Sequence, residues 1–260
     1  MSSPVDRMPV LFVGHGNPMN AIEASMWADG WGRMGAALPR PEAILAISAH
    51  WETPTTRVTA MAQPRTIHDF GGFPRELFEQ LYPAPGSPQL ADRVRSLVTS
   101  ALVLADHEWG IDHGIWSVLA RMYPAADIPV VQLSLGAGLS GEARRQIGAE
   151  IAPLREEGVL ILASGNIVHN LRALKWQGGP PYDWASEFDE RVASALTTGD
   201  VRTLVEWEQG GEPAGLSVPT DEHYTPLLYA QGATDAGEPV SFPLVGFDLG
   251  SLSMRCVRWG

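Results

Sequence analysis

Cysteine is almost absent from this 260-residue chain, with Cys256 standing alone. That excludes an intrachain disulfide and the cysteine-rich zinc modules. Lysine is equally scarce: of the 18 basic residues all but Lys175 are arginine, and they face 30 acidic ones for a net charge of −12. A balance of that sign argues against a phosphate-backbone-binding surface, so nucleic acid is not an expected partner. Long apolar runs are missing too. Stretches such as Val159–Ala163 fall far short of the roughly 18 residues that a membrane span needs. The apolar run Val10–Val13 is cut off by Gly14-His15-Gly16-Asn17-Pro18, which leaves no signal peptide to read. With a lone thiol, a reducing cytoplasm is the expected compartment.

What the chain does have is core-forming material, with 45% hydrophobic residues at a length where roughly 70–75% of the unfolded surface can be buried. No linker, repeat or low-complexity tract divides it, so residues 1–260 read as one domain. Short β-rich runs at Val10–Val13, Ala43–Ser48, Arg57–Ala60, Ile128–Ser134, Val159–Ala163 and Val240–Phe247 predict strands. Between them, Ala21–Leu38, Gln89–Thr99, Ile115–Met122, Ser140–Glu156, Trp184–Thr197 and Val201–Glu206 carry helical spacing, with Ser140 as an N-cap. Past Thr225, Tyr229, Val240–Phe247 and Leu252–Trp259 follow closely and suggest antiparallel strands closing a mixed sheet. The predicted fold class is α/β, one three-layer domain with helices on both faces of a mixed central sheet.

The informative residues are histidines. His15 follows the first strand, His50 the second in Ser48-Ala49-His50-Trp51, and His169 comes after Val159–Ala163, where open α/β sheets place their ligand crevice. His223 opens a segment with helical continuation, and His113 sits in a Gly-Ile-Asp-His-Gly turn before a helix. Imidazoles converging on one sheet edge would make a transition-metal site without cysteine, but spacing alone cannot establish convergence, and no HExxH pair is present. Competing motifs fail: Met19 stands where a dinucleotide fingerprint needs its third glycine, and no Gly-x-Ser-x-Gly elbow occurs. Cys256 reads as a small buried hydrophobe. Trp51 and Trp116, each beside a candidate histidine, are possible walls of a small-molecule pocket, and Arg57, Arg65 and Arg121 are possible partners of a substrate carboxylate.

The segments Gly14-His15-Gly16-Asn17-Pro18-Met19, Ser48-Ala49-His50-Trp51, Ile67-His68-Asp69-Phe70-Gly71-Gly72-Phe73-Pro74, Asp112-His113-Gly114-Ile115-Trp116, Gly165-Asn166-Ile167-Val168-His169-Asn170 and Asp221-Glu222-His223-Tyr224 resemble the 4,5-DOPA extradiol dioxygenase family of the class III extradiol ring-cleaving dioxygenases. They run through most of the chain in family order. The resemblance implies a single α/β domain with one mononuclear divalent metal, Fe(II) or Zn(II), opening a catechol such as DOPA with O2. By motif, His15, His50 and His223 are implied ligands, with His169 beside the metal as a further ligand or as an acid/base, and His113 as a catalytic histidine next to the metal's ligands. The wider class holds iron through two histidines and a carboxylate, whereas His223 stands at the carboxylate position, a departure that makes zinc a realistic occupant. A zinc-dependent hydrolase on the same scaffold and a non-catalytic metal-binding protein are the alternatives. His68 is expected to organise its own loop and His107 to be solvated.

Overall fold

The computed structural model describes residues 7–260. Twelve strands occur among them: β1 (Val10–Gly14), β2 (Ala43–Thr53), β3 (Arg57–Thr59), β4 (Arg65–Thr66), β5 (Leu104–Asp106), β6 (Gly110–Ile111), β7 (Val130–Gly136), β8 (Val159–Gly165), β9 (Val240–Leu244), β10 (Phe247–Asp248), β11 (Leu252–Ser253) and β12 (Cys256–Trp259). The helices are α1 (Met26–Ala36), α2 (Arg75–Phe78), α3 (Pro88–Leu97), α4 (His113–Met122), α5 (Gly141–Ile151), α6 (Asp183–Thr198), α7 (Val201–Val205), α8 (Gly211–Ser217) and α9 (Thr225–Gly232). Eight strands form the central sheet in the order β5-β3-β7-β2-β8-β1-β12-β9. Its middle, β7-β2-β8-β1, is parallel, while β12 and β9 add antiparallel to one side and β3 meets β7 antiparallel on the other.

The sheet is mixed and covered on both faces. Alternation along the strands divides the core in two: Val10, Phe12, Leu45, Ile47, Val131, Leu133, Ile161 and Ala163 face α3, α5, α6 and α9. Leu11, Val13, Ile44, Ala46, Val130, Leu160 and Leu162 face α1 and α4. Neighbouring residues serve opposite layers because successive strand side chains point to opposite faces. The middle strands read as continuous apolar runs for the same reason, as parallel strands buried on both sides do.

The predicted elements are recovered, with changes at their ends. The helix expected from Ala21 to Leu38 is a short 3-10 turn, Pro18–Ala21, followed by α1, which Ser25 caps by accepting from the Ala28 N–H. Ser140 caps α5 as expected, accepting from the Ala143 N–H at 3.2 Å, but α5 ends at Ile151 and continues as a 3-10 turn at Pro153. Proline removes an amide donor and crowds the preceding turn, so it stops the α-helix there. Tyr229 lies in α9, not in a strand. The single strand expected over Val240–Phe247 is two, β9 and β10, separated at Gly246, whose φ of 141° favours glycine. Pro243 is tolerated because β9 is the edge of the sheet, where an amide donor is dispensable. No helix among the described residues is long and apolar enough to cross a membrane.

Candidate metal centre

The carboxyl ends of β1, β2 and β8 lie together, because Gly14 pairs with Gly165 and Ser48 with Ser164. His15 leaves the end of β1. His50 lies where the pairing of β2 with β7 slips between Ile47 and Glu52, an irregularity of the kind that re-aims a side chain beside a site. His223 ends a 3-10 turn, Asp221–His223, that leads into α9. That turn is tied down by buried Arg144 of α5, which donates to Asp221 Oδ2 and Thr225 Oγ1, both at 2.7 Å. Two glycines permit the approach. A Cβ on Gly165 would stand 2.1 Å from the His223 carbonyl oxygen, and one on Gly114 would stand 2.8 Å from the His50 ring.

Among the described residues, His15, His50 and His223 offer ligand nitrogens that all lie within 4.8 Å of one another. Each is oriented by its other nitrogen. Ser164 Oγ donates its only proton to the Gly114 carbonyl at 2.5 Å, so it can only accept from His15 Nδ1, 3.0 Å away. His50 Nδ1 faces Asp69 Oδ2 at 3.4 Å and His223 Nδ1 faces Glu222 Oε1 at 3.1 Å. A proton on Nδ1 toward oxygen in each ring leaves the three Nε2 lone pairs for a common target, the arrangement that metal-ligating histidines show. Two observations test the fit. The Nε2 atoms of His15 and His50 are 3.0 Å apart, which in that tautomer sets lone pair against lone pair unless a cation lies between, and buried His223 Nε2 has no hydrogen-bond partner among the described residues. The donor set fits a divalent metal.

Burial, reinforced by neighbouring histidines, lowers the affinity of these rings for protons. His15 and His223 are held well below the ordinary histidine range, first by desolvation and then by charge repulsion from the other imidazoles. Burial, then His113, takes His50 down to about 3. A metal ligand must be neutral, and these rings are neutral at pH 7.

His169 and His113 flank the three. The His169 ring stacks on His223 with centroids 3.4 Å apart and planes 6° apart, and burial lowers its pKa to about 4. Its nitrogens group with Glu222 and His223, not with His15 and His50. His113 is the first residue of α4, packs 3.9 Å from the His50 ring between centroids, and has Nδ1 2.9 Å from Asp69 Oδ2. Asp69 Oδ1 also accepts the His113 backbone N–H at 3.0 Å. Burial pushes the Asp69 carboxyl up, but hydrogen bonding and charge from His113 and His50 outweigh it and hold the pKa below the usual value. Beneath them, buried Asp112 accepts from Ser48 Oγ at 2.7 Å and Gln132 Nε2 at 2.5 Å, and burial raises its pKa to about 6.

All five histidines line one cavity of about 490 Å³, closed by Pro18, Phe70, Phe73, Leu171, Leu174, Trp176, Leu249 and Leu252. Such an apolar space with a few convergent polar atoms suits a small aromatic molecule. Trp51 and Trp116 do not line it. Trp51 stacks on Trp109 at 5.6 Å, and buried Trp116 donates its Nε1 proton to the Ile67 carbonyl at 2.8 Å; the aromatic walls are Phe70, Phe73 and the exposed Trp176. Nor do the three arginines reach it: Arg57 pairs with Asp106 at 3.1 Å, Arg121 donates to the Asn20 and Glu23 carbonyls, and Arg65 lies exposed in β4. His68 does hold its loop, donating from Nε2 to the Gln80 carbonyl at 2.9 Å, and His107 is exposed. Cys256 is buried and its thiol pushed up to about 12 by burial, an inert group. Sequence reasoning passed over Asp69, Glu222 and Asp112, whose only signal was adjacency to a histidine.

Residues 20–245 match the family described as the catalytic LigB subunit of aromatic ring-opening dioxygenase, and the chain belongs to that family. It is 51% identical to the 4,5-DOPA dioxygenase extradiol of Escherichia coli (strain K12), over 98% of this chain and 95% of that protein. The protein of the same name from Beta vulgaris is 40% identical over 92% of this chain and 90% of its own length. A crystal structure of an uncharacterized Escherichia coli K12 protein superposes with a TM-score of 0.86 at 47% identity, covering 98% of this chain and all of that one. The chain is therefore an extradiol ring-opening dioxygenase, and neither the zinc hydrolase nor the non-catalytic alternative is favoured.

Proposed function

We propose that residues 1–260 form one catalytic domain that opens the ring of a catechol, DOPA in the first place, next to its two hydroxyls, with both atoms of O2 entering the product. The observation that carries this reading is the convergence of three Nε2 lone pairs, from His15, His50 and His223, on the floor of an apolar cavity. Those residues are the proposed ligands of a divalent metal. When bound there, the metal supplies Lewis acidity toward the catechol oxygens and, as Fe(II), the redox chemistry that dioxygen requires. Imidazole donors suit zinc and iron alike, and the dependence on dioxygen favours iron in the working enzyme.

The protein's own part is positioning and proton transfer. Phe70, Phe73 and Leu252 form apolar walls against which the substrate ring packs, and they exclude water from the reacting carbons. The Asp69 carboxylate, 2.9 Å from Nδ1, favours the His113 proton on that nitrogen, which leaves Nε2 to accept a catechol proton. His169, stacked on His223, is assigned as the partner that holds and returns a proton, since its nitrogens group with Glu222 and His223 and not with His15 and His50. The relatives named 4,5-DOPA dioxygenase extradiol support DOPA as the substrate and the 4,5 bond as the one opened. A reducing cytoplasm, which preserves ferrous iron, suits a chain whose single thiol is buried. The test is anaerobic purification, reconstitution with Fe(II) or Zn(II), and addition of DOPA and a panel of other catechols in air. Oxygen uptake with a yellow ring-opened product from the iron protein is expected; none with any catechol refutes the proposal.

A further inference from the structure

Among the described residues, the walls of the main cavity contain no lysine, arginine, aspartate or glutamate. An amino acid bearing a catechol side chain brings a carboxylate and an ammonium group as well, and burying either unpaired costs several kcal/mol. A charged head must therefore sit outside this apolar space. Next to it, sharing His169 and Leu171 as a common wall, lies a smaller cavity of about 180 Å³ bounded also by Asn170, Arg172, Pro219, Thr220 and Glu222. Its walls carry one cationic and one anionic side chain, Arg172 and Glu222. Asn170 fixes the turn that carries Arg172 by accepting the Arg172 backbone N–H at 3.0 Å, while the guanidinium makes no ion pair or side-chain hydrogen bond among the described residues. Glu222 spends one oxygen on His223 Nδ1 and Thr220 Oγ1, at 3.1 and 3.0 Å. Its other oxygen has no hydrogen-bond partner among the described residues.

We propose that this smaller cavity is a head-group subsite, in which Arg172 takes the carboxylate and Glu222 the ammonium of a zwitterionic catechol amino acid whose ring occupies the main cavity. The proposal rests on the dioxygenase reading for where the ring lies. A planar guanidinium matches a carboxylate with two parallel donors, and a guanidinium and a carboxylate on one small cavity can meet both ends of an α-amino acid at once. The main cavity sets the preference for a catechol ring, and the smaller one sets the preference among catechols.

The test is anaerobic binding to the metal-loaded protein of four ligands that share the catechol ring: DOPA, 3,4-dihydroxyphenylpropionate without the ammonium, dopamine without the carboxylate, and 4-methylcatechol with neither. Arg172→Met should weaken DOPA and the propionate about fivefold relative to 4-methylcatechol, as expected for a partly exposed ion pair. Dopamine should keep its ratio to 4-methylcatechol, Arg172→Lys should recover part of the loss, and high salt should shrink the difference. An unchanged ratio of DOPA to 4-methylcatechol in Arg172→Met, or equal weakening of all four ligands, overturns the subsite. Turnover in air is read separately. Arg172-dependent binding without ring opening sinks the dioxygenase reading alone, and ring opening without Arg172-dependent selectivity sinks the subsite alone.

Discussion

Replacing Asp69 by asparagine changes one atom and tests the centre as a whole. Asp69 Oδ2 stands 2.9 Å from His113 Nδ1 and 3.4 Å from His50 Nδ1, and Oδ1 accepts the His113 backbone N–H. In Asp69→Asn the amide oxygen can keep the backbone bond, but the NH2 group then faces two Nδ1–H donors. Donor against donor is repulsive. One or both rings must turn, or move the proton to Nε2, where His50 needs a lone pair for the metal and His113 needs one for the substrate proton. A hydrogen bond to a charged group is worth about 1.5–3 kcal/mol, which converts to a loss of roughly 10- to 100-fold. The loss should appear in kcat, measured as oxygen uptake of the iron-reconstituted protein, and in metal affinity, measured by chelator competition. A thermal melt close to that of the wild type separates this from misfolding. Activity within about threefold of wild type, together with unchanged metal affinity, would refute the role given to Asp69.

Two further outcomes follow from the same geometry. His169→Ala should retain the metal, since three nitrogens remain clustered without it, while kcat falls by about 100-fold or more; loss of the metal in chelator competition would make His169 a fourth ligand. Metal-free protein should become less stable as pH falls from about 6.5, where unfolded imidazoles take up protons, toward about 4, where buried His169 does so in the folded chain. The sign follows from the folded pKa being depressed: the unfolded state binds more protons in that window, so acid favours it. For His169 alone the difference between pH 7 and pH 5 is about 2 kcal/mol, readable as a lower urea midpoint, and equal midpoints at the two pH values would contradict it.

The sequence alone determined the strands, the layers and the candidate histidines, because each leaves a local trace. Apolar runs such as Val159–Ala163 mark strands covered on both faces, Ser140 caps its helix with its own hydroxyl, and His15 and His50 follow apolar runs at the ends where ligands gather. Element ends were less legible where a single residue overruled the pattern, as Pro153 does in the helix begun at Gly141 and Gly246 between β9 and β10. Only the tertiary structure decided which histidines meet. The sheet order puts β1 beside β8 and β8 beside β2, although these strands are separated by many residues in the chain, and hydrophobic periodicity carries no information on that order. The Nδ1 partners Ser164, Asp69 and Glu222 were equally silent. A carboxylate becomes a histidine's orienting group only when the fold brings it to hydrogen-bond distance, and Asp69, next to His68 in sequence, faces His50 and His113 instead. The aromatic walls were decided by packing too: Trp51 and Trp116 satisfy the interior, and loops carry Phe70, Phe73 and Trp176 to the cavity.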